Sequence, residues 1–192
     1  MNAAVFLDRD GVLIEDVDLL ISPEQICILP GVPAALTSLR AAEYKLIVVS
    51  NQTVVARGLA SEKQVQDIND FLAAKLQEAG APAIDAWFFC PHHPNATLPQ
   101  YRTNCECRKP RPGLLFQAKA KHDLDLPRSF MIGDRITDII AGFRAGCRTI
   151  LVQTGKHLEP PIETSDPLEH SVVPDYSCAD LGAAANWILR HQ

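Results

Sequence analysis

The stretch FLDRDGVL sets two aspartates two apart, Asp8 and Asp10, directly after an apolar run. Alternate residues of an extended chain point the same way, so both carboxylates could face one ligand while Gly11 lets the backbone turn. The same letters also describe an Asp-Gly turn that only closes a strand. VVSNQT ends a second apolar run with Ser50 and Asn51, followed by Gln52 and Thr53. Alone, that is ordinary turn chemistry. CRKPRPG supplies two adjacent cations, Arg108 and Lys109, which alone would be a solvated basic loop. MIGDRITDI supplies Asp134 and Asp138. They lie one turn apart if a helix begins near Asp134, or they are acids stabilising a helix N-terminus. As a set, these groups suit phosphoryl transfer. A carboxylate attacking phosphorus splits a very slow hydrolysis into two easier steps. An anion attacking an anion needs added positive charge. Mg²⁺ held by one or two carboxylates supplies it, together with a lysine ammonium.

A second constellation lies in FFCPHHPNATLPQYRTNCECRKPRPG, residues 88 to 113. Cys90, His92, Cys105 and Cys107 follow the pattern C-x-H-x12-C-x-C. Three thiolates and one imidazole suit tetrahedral Zn²⁺, and four protein ligands leave no open position, so such a zinc is structural. His93 is the alternative ligand, but it faces the other way from His92 in an extended segment. A disulfide across one intervening residue, Cys105 to Cys107, would be strained. Cys27, Cys147 and Cys178 read as buried thiols.

These groups need elements to position them. The apolar runs Ala3 to Leu7, Lys45 to Ser50, Ile84 to Phe89, Ser129 to Ile132 and Thr149 to Gln153 predict strands. Helices are predicted over 33–42, 61–79, 112–122, 138–145 and 178–189. Ser61 caps the clearest of them, with Gln64 completing a capping box and Val65, Ile68, Leu72 and Leu76 on one face. Alternating strands and helices give an α/β fold, a Rossmann-like parallel sheet with helices on both faces. Ligands of such a sheet sit beyond the carboxyl ends of its strands, where Asp8, Ser50 and Asp134 fall. Residues 156–174, rich in proline and acid, predict a surface loop. With 192 residues, 47% hydrophobic and 21% charged, and no repeat or long linker, the chain is expected to be a single domain spanning 1–192, the zinc loop being 90–107. The net charge of −5 argues against nucleic acid and anionic membranes as partners. MNAAVFLDRDG has no leader pattern and no run approaches a membrane span, so a cytoplasmic protein, a monomer, is expected.

The order DxD at the first strand, Ser at the second, Lys between, then GDxxxD resembles the haloacid dehalogenase superfamily of phosphohydrolases. That resemblance implies Asp8 as nucleophile and Mg²⁺ ligand. Asp10 would be general acid and then base, with its backbone carbonyl on the metal. Ser50 and Lys109 would bind the phosphoryl group, Asp134 would be the remaining Mg²⁺ ligand, and Asp138 would orient Lys109 or a metal-bound water. The zinc loop running straight into CRKP resembles one capless branch. It contains the D-glycero-D-manno-heptose 1,7-bisphosphate phosphatases, which serve synthesis of activated heptose for surface polysaccharide, and the histidinol-phosphate phosphatases. The CPHHP start and the long loop look more like the heptose enzymes. In that family the positions of Arg108 and Arg135 contact substrate, and the segments at Asp16 and at Asn51, Gln52 and Thr53 line the substrate side. The intervals from Asp8 to Ser50 and from Ser50 to Lys109 leave no room for a cap domain. Two departures stand out: Asp16-Val17-Asp18-Leu19 where the family often has Asp-His-Gly-Tyr, and Thr53-Val54-Val55 where it often has Ser-Gly-Ile. The rival readings are a histidinol-phosphate or other sugar phosphatase, and a zinc-stabilised phosphate-binding module without turnover.

Overall fold

The computed structural model describes residues 2–159, 168 and 171–191. Six parallel strands form one sheet in the order β3-β2-β1-β4-β5-β6. The strands are β1 (Ala4–Leu7), β2 (Lys45–Asn51), β3 (Ala86–Cys90), β4 (Phe130–Gly133), β5 (Arg148–Val152) and β6 (Tyr176–Cys178). The helices are α1 (Val32–Ala41), α2 (Thr53–Ala56), α3 (Glu62–Glu78), α4 (Gly113–His122), α5 (Ile136–Ala145) and α6 (Leu181–Arg190). No cap domain occurs among the described residues.

Parallel strands covered on both faces read as continuous apolar runs, and β1 and most of β2 are buried along their length. Alternate side chains then divide between two cores. Val5 and Leu7 of β1 join Leu46, Val48 and Ile132 against α1, α3 and α6. Ala4 and Phe6 join Ile47, Val49 and Met131 against Leu114, Leu115 and Ala118 of α4 and Ala141 and Ala145 of α5. Helices thus cover both faces, as predicted. The capping box also forms: Ser61 Oγ accepts from the Gln64 N–H at 3.2 Å, and Gln64 Oε1 accepts from the Ser61 N–H at 2.8 Å.

Some expectations need correction. The last helix begins at Leu181, not at residue 178. Asp180 caps it by accepting from the Ala183 N–H at 2.8 Å, and Tyr176–Cys178 instead extends the sheet as β6 beside β5. Helix α5 begins at Ile136, so Asp134 precedes it. Residues 53–56 form the short helix α2, which the sequence did not suggest. Cys147 and Cys178 are buried but Cys27 is exposed. Much of the predicted 156–174 loop lies outside the described residues.

Candidate active site

The carboxyl ends of β1, β2 and β4 open into a cleft of about 680 Å³. Asp8 follows β1 directly, and its N–H donates to the Ile132 carbonyl of β4 at 3.0 Å. That bond seats the chain end between two strands. Lys109 arrives from the segment after the cysteine loop and is 2% exposed. Its ammonium meets three acceptors: Asp8 Oδ1 at 2.9 Å, Asp138 Oδ1 at 2.6 Å and the Val49 carbonyl at 2.9 Å. Two carboxylates and a carbonyl thus fix the ammonium in place. Its backbone is clamped as well. Asn51 Nδ2 donates to the Lys109 carbonyl at 3.0 Å, and the Lys109 N–H donates to Asn51 Oδ1 at 3.1 Å.

Asp8, Asp134 and Asp138 each offer an oxygen within 4.8 Å of the others. Three carboxylates against one ammonium leave an excess of negative charge in a buried place. Burial, outweighing Lys109, holds the Asp8 carboxyl well above the usual range, with the charges of Asp138 and Asp134 adding to it. Burial and then Asp138 push Asp134 up to about 7. Burial opposes the Lys109 charge, but Asp138 and Asp8 outweigh it and raise the ammonium's pKa. Asp134 Oδ2 accepts from the Lys156 N–H at 2.7 Å, while its Oδ1 is buried with no hydrogen-bond partner among the described residues. A buried, unpartnered carboxylate oxygen in an electronegative cluster fits a hard divalent cation with oxygen ligands.

Asp10 faces the same cleft but is held differently. Arg9 and Gln52 both bind its carboxylate, Gln52 Nε2 donating to Oδ2 at 3.0 Å. Gln52 Nε2 also reaches Ser50 Oγ at 3.3 Å, and Ser50 is buried at the end of β2. Thr53 and Arg108 line the cleft. At the mouth, Arg135 lies 3.4 Å from Asp16 and 3.6 Å from Glu159. Lys156 pairs there with Asp18, which has a positive φ of 63°, and reaches Asp16 at 3.7 Å.

The loop cluster is equally compact. Cys107 Sγ lies 3.1 Å from Cys90 Sγ and 3.2 Å from Cys105 Sγ, and His92 Nδ1 lies 3.5 Å from Cys107 Sγ. Of the two histidines, His92 joins the thiols, while His93 Nδ1 accepts from the Asn95 N–H and lines the cleft. The thiol contact they share pushes Cys107 down to about 5 and, with burial, pushes Cys90 up. Crowded thiols that oppose one another's ionisation, with an imidazole beside them, suit a soft-ligand divalent metal. Arg108 Nη1 donates to the His92 carbonyl at 3.2 Å, joining the cluster to the cleft.

The sequence reading did not single out Arg9, Asn69, Gly155 or Lys156. A strand-alternation argument points Arg9 away from the aspartates, but a buried arginine beside an apolar sheet must find partners. The approach of Gly155 and Lys156 to Asp134 depends on where β4 and β5 end, and no local pattern carries it.

A haloacid dehalogenase-like hydrolase family model, described as HAD-hydrolase-like, matches residues 106–184. Over 88% of this chain and 88% of the relative, the sequence is 38% identical to a D-glycero-alpha-D-manno-heptose-1,7-bisphosphate 7-phosphatase of Photorhabdus laumondii. It is 37% identical, over 97% of both chains, to the D-glycero-beta-D-manno-heptose-1,7-bisphosphate 7-phosphatase of the same organism. Among solved structures, D,D-heptose 1,7-bisphosphate phosphatase from B. bronchiseptica, complexed with magnesium and phosphate, matches with a TM-score of 0.82 and 33% identity over 100% of both chains.

Proposed function

Because the chain belongs to the D-glycero-D-manno-heptose-1,7-bisphosphate 7-phosphatases, within the haloacid dehalogenase-like hydrolases, we infer that it removes the 7-phosphate of that sugar bisphosphate. The observation that carries the reading is the Lys109 ammonium bridging Asp8 and Asp138 beside the open oxygen of Asp134. We read residues 1–192 as one cytoplasmic phosphatase domain acting as a monomer.

The proposed mechanism uses the chain's own groups in two steps. An Asp8 carboxylate oxygen attacks phosphorus, the bond to the sugar oxygen breaks, and Asp10 protonates the departing alkoxide. Asp10 then takes a proton from water, which attacks the aspartyl-phosphate and releases phosphate and free Asp8. Lys109 and Ser50 hold the phosphoryl oxygens, and Asp138 holds Lys109. Arg108 and Arg135 take the substrate side with Asp16, Asn51, Gln52 and Thr53, Asn51 acting through its clamp on Lys109. Asp8, Asp134 and the Asp10 carbonyl would hold Mg²⁺. When bound, the ion supplies positive charge to the transferring phosphoryl group. Cys90, His92, Cys105 and Cys107 would hold a structural Zn²⁺.

The Mg²⁺ assignment predicts an effect at a residue without functional groups. A side chain on Gly155 would press into Asp134 Oδ2, and one on Gly11 (φ +77°) would meet the same oxygen at 2.5 Å. Gly155→Ala must therefore shift the Asp134 carboxylate. The Mg²⁺ concentration for half-maximal turnover is expected to rise at least about tenfold, the scale on which displaced ligand supports act. An unchanged Mg²⁺ titration would remove Asp134 from the ligand set.

Substrate is tested by kcat/KM against both anomers of heptose bisphosphate and against histidinol phosphate. A preference for either heptose anomer is expected. A large preference for histidinol phosphate would overturn the substrate reading and leave the phosphatase reading in place.

A further inference from the structure

Arg9 leads the largest fully buried side chains, at 1% exposure. A guanidinium does not shed its charge inside a protein, so burying one demands partners at every nitrogen. Arg9 has them. Nε donates to Asp10 Oδ2 at 3.2 Å, and Nη2 donates to Asp10 Oδ1 at 3.1 Å and Oδ2 at 3.0 Å. Nη2 also donates to Gln52 Oε1 at 2.8 Å, and Nη1 to Asn69 Oδ1 at 3.0 Å. Asn69 is itself an anomaly. It is 2% exposed on the face of α3 that otherwise buries Val65, Ile68, Leu72 and Leu76, a place where an amide without a partner is costly. Its side-chain oxygen is met by Arg9.

The two oxygens of Asp10 are not treated alike. Oδ2 accepts from Arg9 Nε, Arg9 Nη2 and Gln52 Nε2, whereas Oδ1 accepts from Arg9 Nη2. The Asp10 side chain keeps 22% exposure at the cleft. Resting on the proposed role of Asp10 as general acid and base, we propose that Arg9, anchored by Asn69, is the positioning residue for that proton transfer. It ties down Oδ2 and presents Oδ1 as the oxygen that carries the proton. Oδ1 gives its proton to the sugar oxygen as the P–O bond breaks. It takes one from water as the new P–O bond forms and the bond to Asp8 breaks. Arg9 borders the cleft but is 1% exposed, so it acts through the Asp10 carboxylate, whose rotamer it fixes.

A positioning role has a signature that a merely structural role lacks. A sugar alkoxide needs protonation to leave, whereas 4-nitrophenolate leaves readily without it. General-acid help contributes about 10²- to 10⁴-fold where it is needed. Arg9→Met is expected to lower kcat/KM for heptose bisphosphate by about 10²-fold and for 4-nitrophenyl phosphate by less than about tenfold. Equal losses on both esters would overturn the proposal. Asn69→Ala removes the guanidinium's anchor without touching the cleft. It is expected to give the same unequal pattern at smaller amplitude, and it decides the matter if Arg9→Met does not fold. Equal losses there, or none, overturn the proposal as well. Wild-type protein inactive on every phosphate ester would instead sink the phosphatase reading, and this inference with it.

Discussion

Asp8→Asn is expected to abolish turnover while the protein stays folded. The amide cannot form an aspartyl-phosphate, and removing a nucleophile is expected to lower kcat by at least about 10⁴-fold. The fold is not expected to need this carboxylate's charge. Asp8 is buried beside Asp134 and Asp138, and that burial holds its pKa well above the ordinary value. A carboxyl whose folded pKa is raised contributes stability below its unfolded pKa and loses it as pH rises toward the folded value. Metal-free Asp8→Asn is therefore expected to gain stability relative to metal-free wild type as pH climbs from about 3.8, the ordinary value of an aspartate, toward the raised folded value. Lys109 keeps its 2.6 Å contact with Asp138 in the variant, so no charge is stranded. Phosphate release, beryllofluoride binding with Mg²⁺ and thermal melting across pH test the two halves. Activity above a tenth of wild type, or Mg²⁺-dependent beryllofluoride capture by the variant, would contradict the nucleophile assignment. A fall in stability with pH would contradict the charge argument.

The sequence reveals the strands buried on both faces because nothing but apolar residues suits them. KLIVVS in β2 has no polar position between Lys45 and Ser50. α3 is legible for a different reason, since Ser61 and Gln64 are the two halves of one hydrogen-bonded cap. β6 is not legible. Three residues at a sheet edge carry no period, and Asp180 rather than any apolar pattern decides where the last helix starts. α2 is hidden in the same way, since Thr53, Val54 and Val55 are β-branched and their helix is one turn long. Within the site, the residues that could meet the phosphoryl group are the legible ones, because charge and strand-end position mark them. Their supports are illegible. Arg9 reads as a spacer between two aspartates, Asn69 as one polar letter in a helix, and Gly155 as loop. Each acts only through contacts made across long stretches of chain.

Removing the proposed zinc is expected to separate substrate binding from catalysis. The loop from Cys90 to Cys107 gathers four donors, and the proposed structural Zn²⁺ would contribute on the order of 10 kcal/mol to ordering them. Two arginines depend on that order. Arg108 donates to the carbonyl of His92, itself in the cluster, and Arg111 donates to the carbonyls of Asn104 and Cys105. Lys109 does not depend on it. Although it follows Cys107 by two residues, its backbone is clamped by Asn51 of β2 and its ammonium by Asp8, Asp138 and Val49. Stripping the metal, or Cys107→Ala, should thus release Arg108 and spare Lys109. The expected result is a lower melting temperature and a KM raised about tenfold, the scale of one lost charge-assisted contact, with kcat changed by less than about threefold. Holding Mg²⁺ constant during the chelation keeps the two metals apart. Full activity and unchanged melting without zinc would show that the cluster orders nothing the site uses. A collapse of kcat at constant KM would show that the zinc loop, and not the Asn51 clamp, positions Lys109.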